Sequence, residues 1–233
     1  MDASEVKRLV EIAERIARAL GPAFRIAGKK LWVCGYIIGE DRVENKSPFS
    51  FGSDATVGLA TVIQTAGELC AGAVLLLEQD NVYGAMALVR QLVETEYLAW
   101  AFAEDEEEAS TWMRSTTEER LKQWQPRHLR ERAGDRFRAR DYSMHCELGG
   151  HPTPQGARLL PDHMSLSNIL WWYEVAMHGT SAWNYAAIAA KRLGYEEVFR
   201  DAEESRRLEH ATHEWRAADR LPDLLTVFGS VQS

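Results

Sequence analysis

The sequence has few cysteines and none of the short motifs that identify a common zinc or nucleotide site. Cys34, Cys70 and Cys146 are its only cysteines, and their wide spacing excludes a CxxC zinc site and a disulfide framework. We therefore expect a reducing, cytoplasmic location. No G-x-S-x-G, Walker or G-x-G-x-x-G motif occurs, which argues against an α/β-hydrolase, a P-loop ATPase and a Rossmann enzyme.

The chain also lacks a long uncharged apolar run and an excess of basic charge. Its N-terminus is acidic and has no signal-peptide pattern, and no run of about 18 apolar residues suggests a membrane span. The formal net charge of −8 argues against a broad surface for duplex DNA. Six arginines nevertheless form a basic stretch, which is either a solvated helix face or a phosphate-binding patch: Arg127, Arg130, Arg132, Arg136, Arg138 and Arg140.

What the sequence has in abundance is apolar helical periodicity. Hydrophobic residues make up 45% of the 233 residues, which is enough for a core. Strand signals are nearly absent, and the pattern predicts an all-α helical bundle built on a long antiparallel helix hairpin, with extra C-terminal helices. We expect an N-terminal helix and irregular segment over 1–53, the bundle over 54–221 and a C-terminal tail over 222–233.

Capping and breaking residues predict where individual helices begin and end. A first helix is expected to end at Gly21-Pro22, with irregular chain from 23 to 53 in which 31–39 is either a strand or a helical turn. A helix capped by Ser53 or Asp54 and a second long helix are expected to form a hairpin, or one kinked helix. Later helices are expected over about 104–126, from Ser165 or Ser167 to Gly194, and over about 195–221.

A charged pair lies on the most apolar of these helices. Arg90 and Glu94 are four residues apart on one helical face, so they can form an ion pair. They occur among apolar residues that should pack into the core. The pair is either a surface ion pair worth a few tenths of a kcal/mol or a buried pair that braces a neighbouring polar group or an anion.

The segment RDYSMH (140–145) places Arg140 and His145 within about one and a half helical turns. A guanidinium that neutralises a phosphate and an imidazole that moves a proton are what RNA cleavage by 2′-hydroxyl attack requires. The segment resembles the Rx4–6H motif of the HEPN superfamily, all-α bundles of which many are dimeric, metal-independent ribonucleases in toxin–antitoxin and phage-defence systems. The resemblance implies that Arg140 holds the phosphate, that His145 is the general acid/base and that Asp141 or Ser143 orients the imidazole.

A second resemblance covers about residues 54–160. It consists of a hydrophobic hairpin with an R-x3-E helix, an acidic turn, a Trp-containing helix, a basic stretch and a Tyr/Ser/His segment before a Pro/Gly loop. This order is similar to an uncharacterised bacterial all-α family with abortive-infection-like members. The residues that match it are Arg90, Glu94, Ser143 and His145, and Arg90, Glu94 and Tyr142 would bind substrate or brace the site.

The leading prediction is a HEPN-like RNA-cleaving or nucleotide-binding effector of a bacterial defence or toxin–antitoxin system. We expect a homodimer with an RNA or nucleotide ligand and an antitoxin partner, and neither a resident metal nor a cofactor. One alternative is a non-catalytic interaction module with a buried polar network. The aromatic residues Trp171, Trp172, Tyr173, Trp183 and Tyr185 are interpreted as core or dimer interface, or else as a base-stacking wall.

A second alternative is a metal-dependent helical-bundle enzyme. Glu174 and His178 are four residues apart, and His210 and His213 are three apart, so each pair lies on one helical face where it can contribute metal ligands. The favoured interpretation of these histidines is nevertheless that they lie at the surface or at helix ends.

Overall fold

The computed structural model describes residues 3–37, 53–137, 139–160, 169–200 and 203–217. Within these ranges the chain forms α-helices and no strand, which confirms the predicted all-α bundle. The helices are α1 (Ala3–Ile37), α2 (Asp54–Glu78), α3 (Val82–Glu104), α4 (Glu108–Arg114), α5 (Thr117–Gln123), α6 (Pro126–Ala133), α7 (Ala139–His145), α8 (Ile169–Arg192), α9 (Glu197–Arg200) and α10 (Glu203–Ala217).

The hairpin of α2 and α3 is the centre of the fold. Ser53 caps α2 by accepting a hydrogen bond from the backbone N–H of Thr56, at 3.3 Å. Between the two helices Asp80 adopts a positive φ of 55°, and Asn81 caps α3 through the N–H of Gly84, at 3.0 Å. This break reverses the chain, so the two helices form the predicted hairpin and not one kinked helix.

Helix α2 is long and apolar enough to cross a membrane by length and composition alone. It packs against α1, α3, α4 and α8, and half of its most apolar stretch is buried. This is the pattern of a core helix in a bundle.

The first helix is longer than the sequence predicts. The expected end at Gly21-Pro22 is wrong, because α1 continues through Pro22 to Ile37. A proline inside a helix costs about 3 kcal/mol, and the complete burial of Phe24 and Leu31 beyond it offsets that cost. Gly28 allows α2 to approach closely, since a Cβ there would lie 2.4 Å from Cγ of Gln64. Residues 31–37 are therefore helical, and α1 shares one core with α2 and α8.

The chain after the hairpin is broken more often than predicted. Thr116 forms a capping box with Glu119 and starts α5, so the helix expected near 104–126 is two short helices. The basic stretch forms α6, a 3₁₀ turn at Gly134–Arg136 and the start of α7. The expected C-terminal helix is described as α9 and α10, and residues 201 and 202 between them lie outside the described ranges. The starts predicted at Ser165 and Ser167, and residues 38–52 and 218–233, lie outside the described ranges.

Candidate metal centre

Five polar side chains meet in the interior where α3, α7 and α8 pack together. We call them the inner cluster: Glu96 from α3, Asp141 and His145 from α7, and Glu174 and His178 from α8. On both α7 and α8 the acid precedes the histidine by four residues, which places the two side chains on one helical face.

Helix α7 and the turn that follows it both pack on α3. Immediately after His145 the backbone forms a π-helical turn, Cys146–Gly150, and such turns are frequent at functional sites. This turn packs on α3, and a Cβ on Gly149 would lie 2.5 Å from the backbone carbonyl carbon of Met86. A larger residue at 149 would therefore push the end of α7 away from α3.

The two imidazoles face each other through their Nε2 atoms. His145 Nε2 lies 3.0 Å from His178 Nε2, and the rings are nearly perpendicular, at 78°. Oε2 of Glu174 lies 3.5 Å from both Nε2 atoms. The Asp141 carboxylate is slightly farther, with one oxygen 3.7 Å from His145 Nε2 and the other 3.9 Å from His178 Nε2.

Glu96 holds His178 from the opposite side of the ring. The distance between His178 Nδ1 and Glu96 Oε2 is 2.7 Å, so Nδ1 carries a proton and donates a hydrogen bond to the carboxylate. This leaves Nε2 directed at His145. A carboxylate that fixes the tautomer of an imidazole in this way is the usual outer-sphere partner of a metal-binding histidine. Within the described ranges, the buried Nδ1 of His145 has no equivalent partner.

Four of the five side chains are almost completely shielded from solvent, Asp141 being the partly exposed one, and this burial strengthens their electrostatic interactions. Burial alone would lower the pKa of His178, but the carboxylates of Glu174 and Glu96 outweigh it and raise this pKa to about 10. Burial lowers the pKa of His145, against the opposing charge of Glu174. Burial would raise the pKa of Glu174, yet the two imidazoles keep it below its ordinary value. Near pH 7 the cluster thus contains one charged and one neutral imidazole.

These atoms fit the coordination sphere of one metal ion. Nitrogen and oxygen ligands about 2.0–2.2 Å from a tetrahedral zinc ion lie roughly 3.3 Å from one another. Ligand atoms of Asp141, His145 and His178 all lie within 4.8 Å of one another, and Glu174 adds an oxygen 3.5 Å from both imidazoles. Both contacts of that buried oxygen are longer than a normal hydrogen bond, and a metal ion would provide it with a closer partner.

The charged pair predicted on α3 forms a second network nearer the surface, which we call the outer network. Arg90 lies 2.9 Å from Glu94, and both side chains are about a quarter to a third exposed. The hydroxyl of Tyr142 on α7 donates to Glu94 at 2.8 Å and accepts from Arg90 at 3.3 Å. The hairpin pair and the 140–145 segment therefore do converge, through Tyr142.

The remaining candidates of that segment lie in different places. Asp141 and His145 belong to the inner cluster, whereas Ser143 is exposed on α7. Arg140 is part of α7, but its side chain lies outside the described residues. The structure thus brings His145 together with Asp141 and does not bring it together with Ser143.

The sequence interpretation named four residues of the inner cluster, Asp141 and His145 in the 140–145 segment and Glu174 and His178 as a separate pair, but it did not bring the two pairs together. Placing His178 at the surface or at a helix end is wrong, because its side chain is 5% exposed. Glu96 was not recognised at all. The available signal was the repetition of one pattern, an acid four residues before a histidine, at 141–145 and at 174–178. His210 and His213, the other proposed pair, are exposed on α10.

The aromatic residues of α8 mainly form the core, as one of the two interpretations predicted. Trp171, Trp172, Tyr173 and Trp183 are buried, and Trp183 packs against Phe24 and Phe199. Tyr185 is only partly buried, and its ring packs against Phe137.

No family model, no curated protein and no solved structure matches this chain. The chemistry of the inner cluster is therefore inferred from its own geometry.

Proposed function

We propose that this protein is a metal-dependent helical-bundle enzyme with one divalent transition-metal ion bound by Asp141, His145 and His178. The observation that carries the proposal is the pair of Nε2 atoms 3.0 Å apart, with a carboxylate oxygen 3.5 Å from each of them. Imidazole and carboxylate ligands together suit zinc, iron(II) or manganese(II).

Three protein ligands leave a coordination position for water or substrate, as in catalytic zinc sites. A bound divalent ion lowers the pKa of its water to about 7 in such sites. Glu174 is then the candidate general base, because its oxygen lies beside both imidazoles and makes no hydrogen bond to any other described group. If Glu174 instead binds the metal as a fourth ligand, the site is closed and its role is structural.

The non-catalytic alternative has the same residues joined only by hydrogen bonds. In that arrangement the charged His178 donates to His145 through Nε2, and Glu174 neutralises the pair. We favour the metal because Oε2 of Glu174 lies 3.5 Å from both Nε2 atoms, which is longer than a normal hydrogen bond, and a metal ion would offer it a closer partner.

The ribonuclease function stays a prediction, and the described geometry supports it less well. His145 is 1% exposed, and its Nε2 faces His178 in the bundle interior. Proton transfer to or from an RNA 2′-hydroxyl needs an imidazole within hydrogen-bond reach of the substrate.

The test is the metal content of untagged protein and its binding of cobalt(II). We expect about one metal ion per chain, and a visible absorption spectrum typical of cobalt(II) with a low coordination number. His145→Ala and His178→Ala should abolish both signals, whereas the control His213→Ala on α10 should keep them. Glu174→Gln should keep the metal if Glu174 is the base.

Two outcomes would contradict the proposal. One is wild-type protein that binds neither zinc, iron(II), manganese(II) nor cobalt(II) more tightly than the double variant of His145 and His178. The other is a bound metal that both histidine variants retain. Thermal melting of each variant in chelator identifies any that fail to fold.

A further inference from the structure

A pocket between α1 and α10 has a cationic lining. Its volume is about 570 Å³, which is within the usual range for a pocket that binds a small molecule. Two of its seven lining residues are alanines, and the other five are basic or imidazole side chains: Arg15 and Arg18 from α1, and Arg206, Arg207 and His210 from α10. In the described part of the chain no carboxylate lines this pocket, although the formal net charge of the protein is −8.

The guanidinium of Arg18 is held in place on three sides. Glu14 accepts hydrogen bonds from Nε and from one terminal nitrogen, at 3.0 and 2.6 Å, and Glu78 accepts from the other terminal nitrogen. The guanidinium carbon lies 5.1 Å from the centre of the Trp172 ring. Each nitrogen of Arg18 thus already donates a hydrogen bond, so Arg18 contributes shape and charge to the pocket more than new hydrogen bonds.

Arg15 and Arg206 keep donors for a ligand. Arg15 contacts Glu214 through one terminal nitrogen, at 2.6 Å, and its other two nitrogens make no hydrogen bond to a described residue. Arg206 is exposed, and among the described residues it has no carboxylate partner. A guanidinium presents five N–H donors in a fixed fork that matches the oxygens of a phosphate group. The pocket therefore has unused donors on both of its helices.

We propose that this pocket binds a compact ligand with two adjacent phosphate groups, of the kind carried by a nucleoside diphosphate. Arg15 of α1 and Arg206 of α10 contact the phosphate oxygens, and a ligand with two phosphates can reach both helices. A single carboxylate would be satisfied by one of these forks. The alanines Ala19 and Ala211 leave space for the rest of the ligand. The proposal does not depend on the metal centre, since no residue of the inner cluster lines this pocket.

An extended polyanion such as RNA fits this surface less well. Glu14 and Glu214 flank the pocket on its two helices, where they contact Arg18 and Arg15. Glu209 lies beside His210 on α10 and is exposed. Successive phosphates of a strand that continued beyond the pocket would approach these carboxylates and be repelled. A compact diphosphate avoids this repulsion because its charge stays within the cationic lining.

The test is calorimetric titration of the metal-free protein with inorganic phosphate, inorganic pyrophosphate and adenosine diphosphate. The protein is stripped with a chelator and then dialysed free of it, so that neither a metal ion nor the chelator competes. We expect about one pyrophosphate per chain, bound roughly tenfold or more tightly than phosphate, because its two groups contact both helices at once. Adenosine diphosphate that binds at least as tightly as pyrophosphate would identify a nucleotide as the source of the diphosphate, and weaker binding would identify free pyrophosphate.

Variants test which residues hold the diphosphate. Arg206→Gln and Arg15→Gln should each weaken pyrophosphate binding roughly tenfold, because each removes charge-assisted hydrogen bonds. The matched control is Arg25→Gln, which removes the same charge from α1 but does not line the pocket, since Arg25 contacts Glu68 at 2.7 and 2.8 Å. It should bind pyrophosphate as the wild type does. Equal melting temperatures of Arg206→Gln and Arg25→Gln show that both variants fold.

Three outcomes would overturn this proposal. One is wild-type protein that binds neither pyrophosphate nor adenosine diphosphate. Another is pyrophosphate affinity that is equal in Arg206→Gln and Arg25→Gln. The third is a protein that binds a single-stranded RNA oligonucleotide through Arg206 but does not bind pyrophosphate, which would assign the surface to RNA. Since the titrations use metal-free protein, none of these results bears on the metal centre, and loss of the metal centre would leave them unchanged.

Discussion

Helix α3 carries two glutamates only two residues apart, and they belong to different networks. Glu94 faces the outer network, where it contacts Arg90 and Tyr142 with a side chain that is 31% exposed. Glu96 faces the inner cluster, where it contacts His178 with a side chain that is 9% exposed. Two residues rotate a helix by roughly 200°, so the two carboxylates point to opposite sides.

The comparison shows that burial, and not residue type, decides how much an acid–base pair contributes to stability and whether it needs a bound ion. Water competes for the charges of the outer network, so its net contribution to stability is small. The inner cluster has lost its water and must satisfy its charges internally or with a bound ion. Four experiments sharpen or break this distinction.

The largest expected difference is in the stability of the metal-free protein. Glu174→Ala leaves a charged imidazole with one carboxylate fewer and a small cavity, and should lower the free energy of unfolding by about 3 kcal/mol. Glu94→Ala in the outer network should lower it by about 1 kcal/mol or less. Urea unfolding in chelator measures both. Equal losses would remove the distinction between the two networks.

The second difference is in metal affinity. Glu96→Gln keeps a hydrogen-bond acceptor for His178 but removes the charge behind the imidazole, and should weaken zinc binding roughly tenfold. Glu94→Gln is the matched control on the same helix and should bind zinc as tightly as the wild type. Competition with a chromophoric chelator gives both dissociation constants. If the Glu96→Gln protein binds zinc as tightly as the wild type, Glu96 has no role in positioning His178 for the metal.

The third experiment counts the protons released on metal binding. In the metal-free protein the neighbouring carboxylates raise the pKa of His178 to about 10, so this imidazole is protonated at pH 7.5. The metal must displace that proton, and zinc affinity should therefore increase with pH up to about pH 10. Calorimetry at pH 7.5 in two buffers of different ionisation enthalpy should show about one proton released per zinc ion. Binding without proton release would mean that His178 is not a ligand.

The smallest expected effect is that of Tyr142→Phe. It removes the hydroxyl shared by Glu94 and Arg90 but keeps the ring beneath Arg130, and should cost about 1 kcal/mol of stability. Zinc affinity should not change, because Tyr142 belongs to the outer network. Urea unfolding measures the loss of stability, and zinc titration of the same preparation measures the affinity. A large fall in zinc affinity would show that the outer network and the inner cluster are coupled.

Much of the fold could be predicted because it follows from local patterns. The hairpin of α2 and α3 is specified by long apolar periods and by the capping residues Ser53 and Asn81. The continuation of α1 past Pro22 could not be predicted, because its cause is tertiary. The residues beyond the proline pack against α2 and α8, and this contact outweighs the local preference for a break.

The candidate site was predicted only in part. The convergence of Arg90, Glu94 and Tyr142 was foreseen because it needs one helix face and one neighbouring segment. Glu96 was missed although its spacing from Leu92, Val93 and Trp100 places it on the buried face of α3. The role of His178 depends on the packing of α8 against α3, a contact between residues about eighty positions apart that periodicity alone does not reveal.

The most direct test of the metal centre is a crystal structure of the protein grown with zinc, with an anomalous difference map at the zinc edge. We expect one strong peak about 2.0–2.1 Å from the Nε2 atoms of both His145 and His178, with an Asp141 oxygen in the coordination sphere of the metal. A map without a peak between the two imidazoles, with the rings still joined by a direct hydrogen bond, would contradict it.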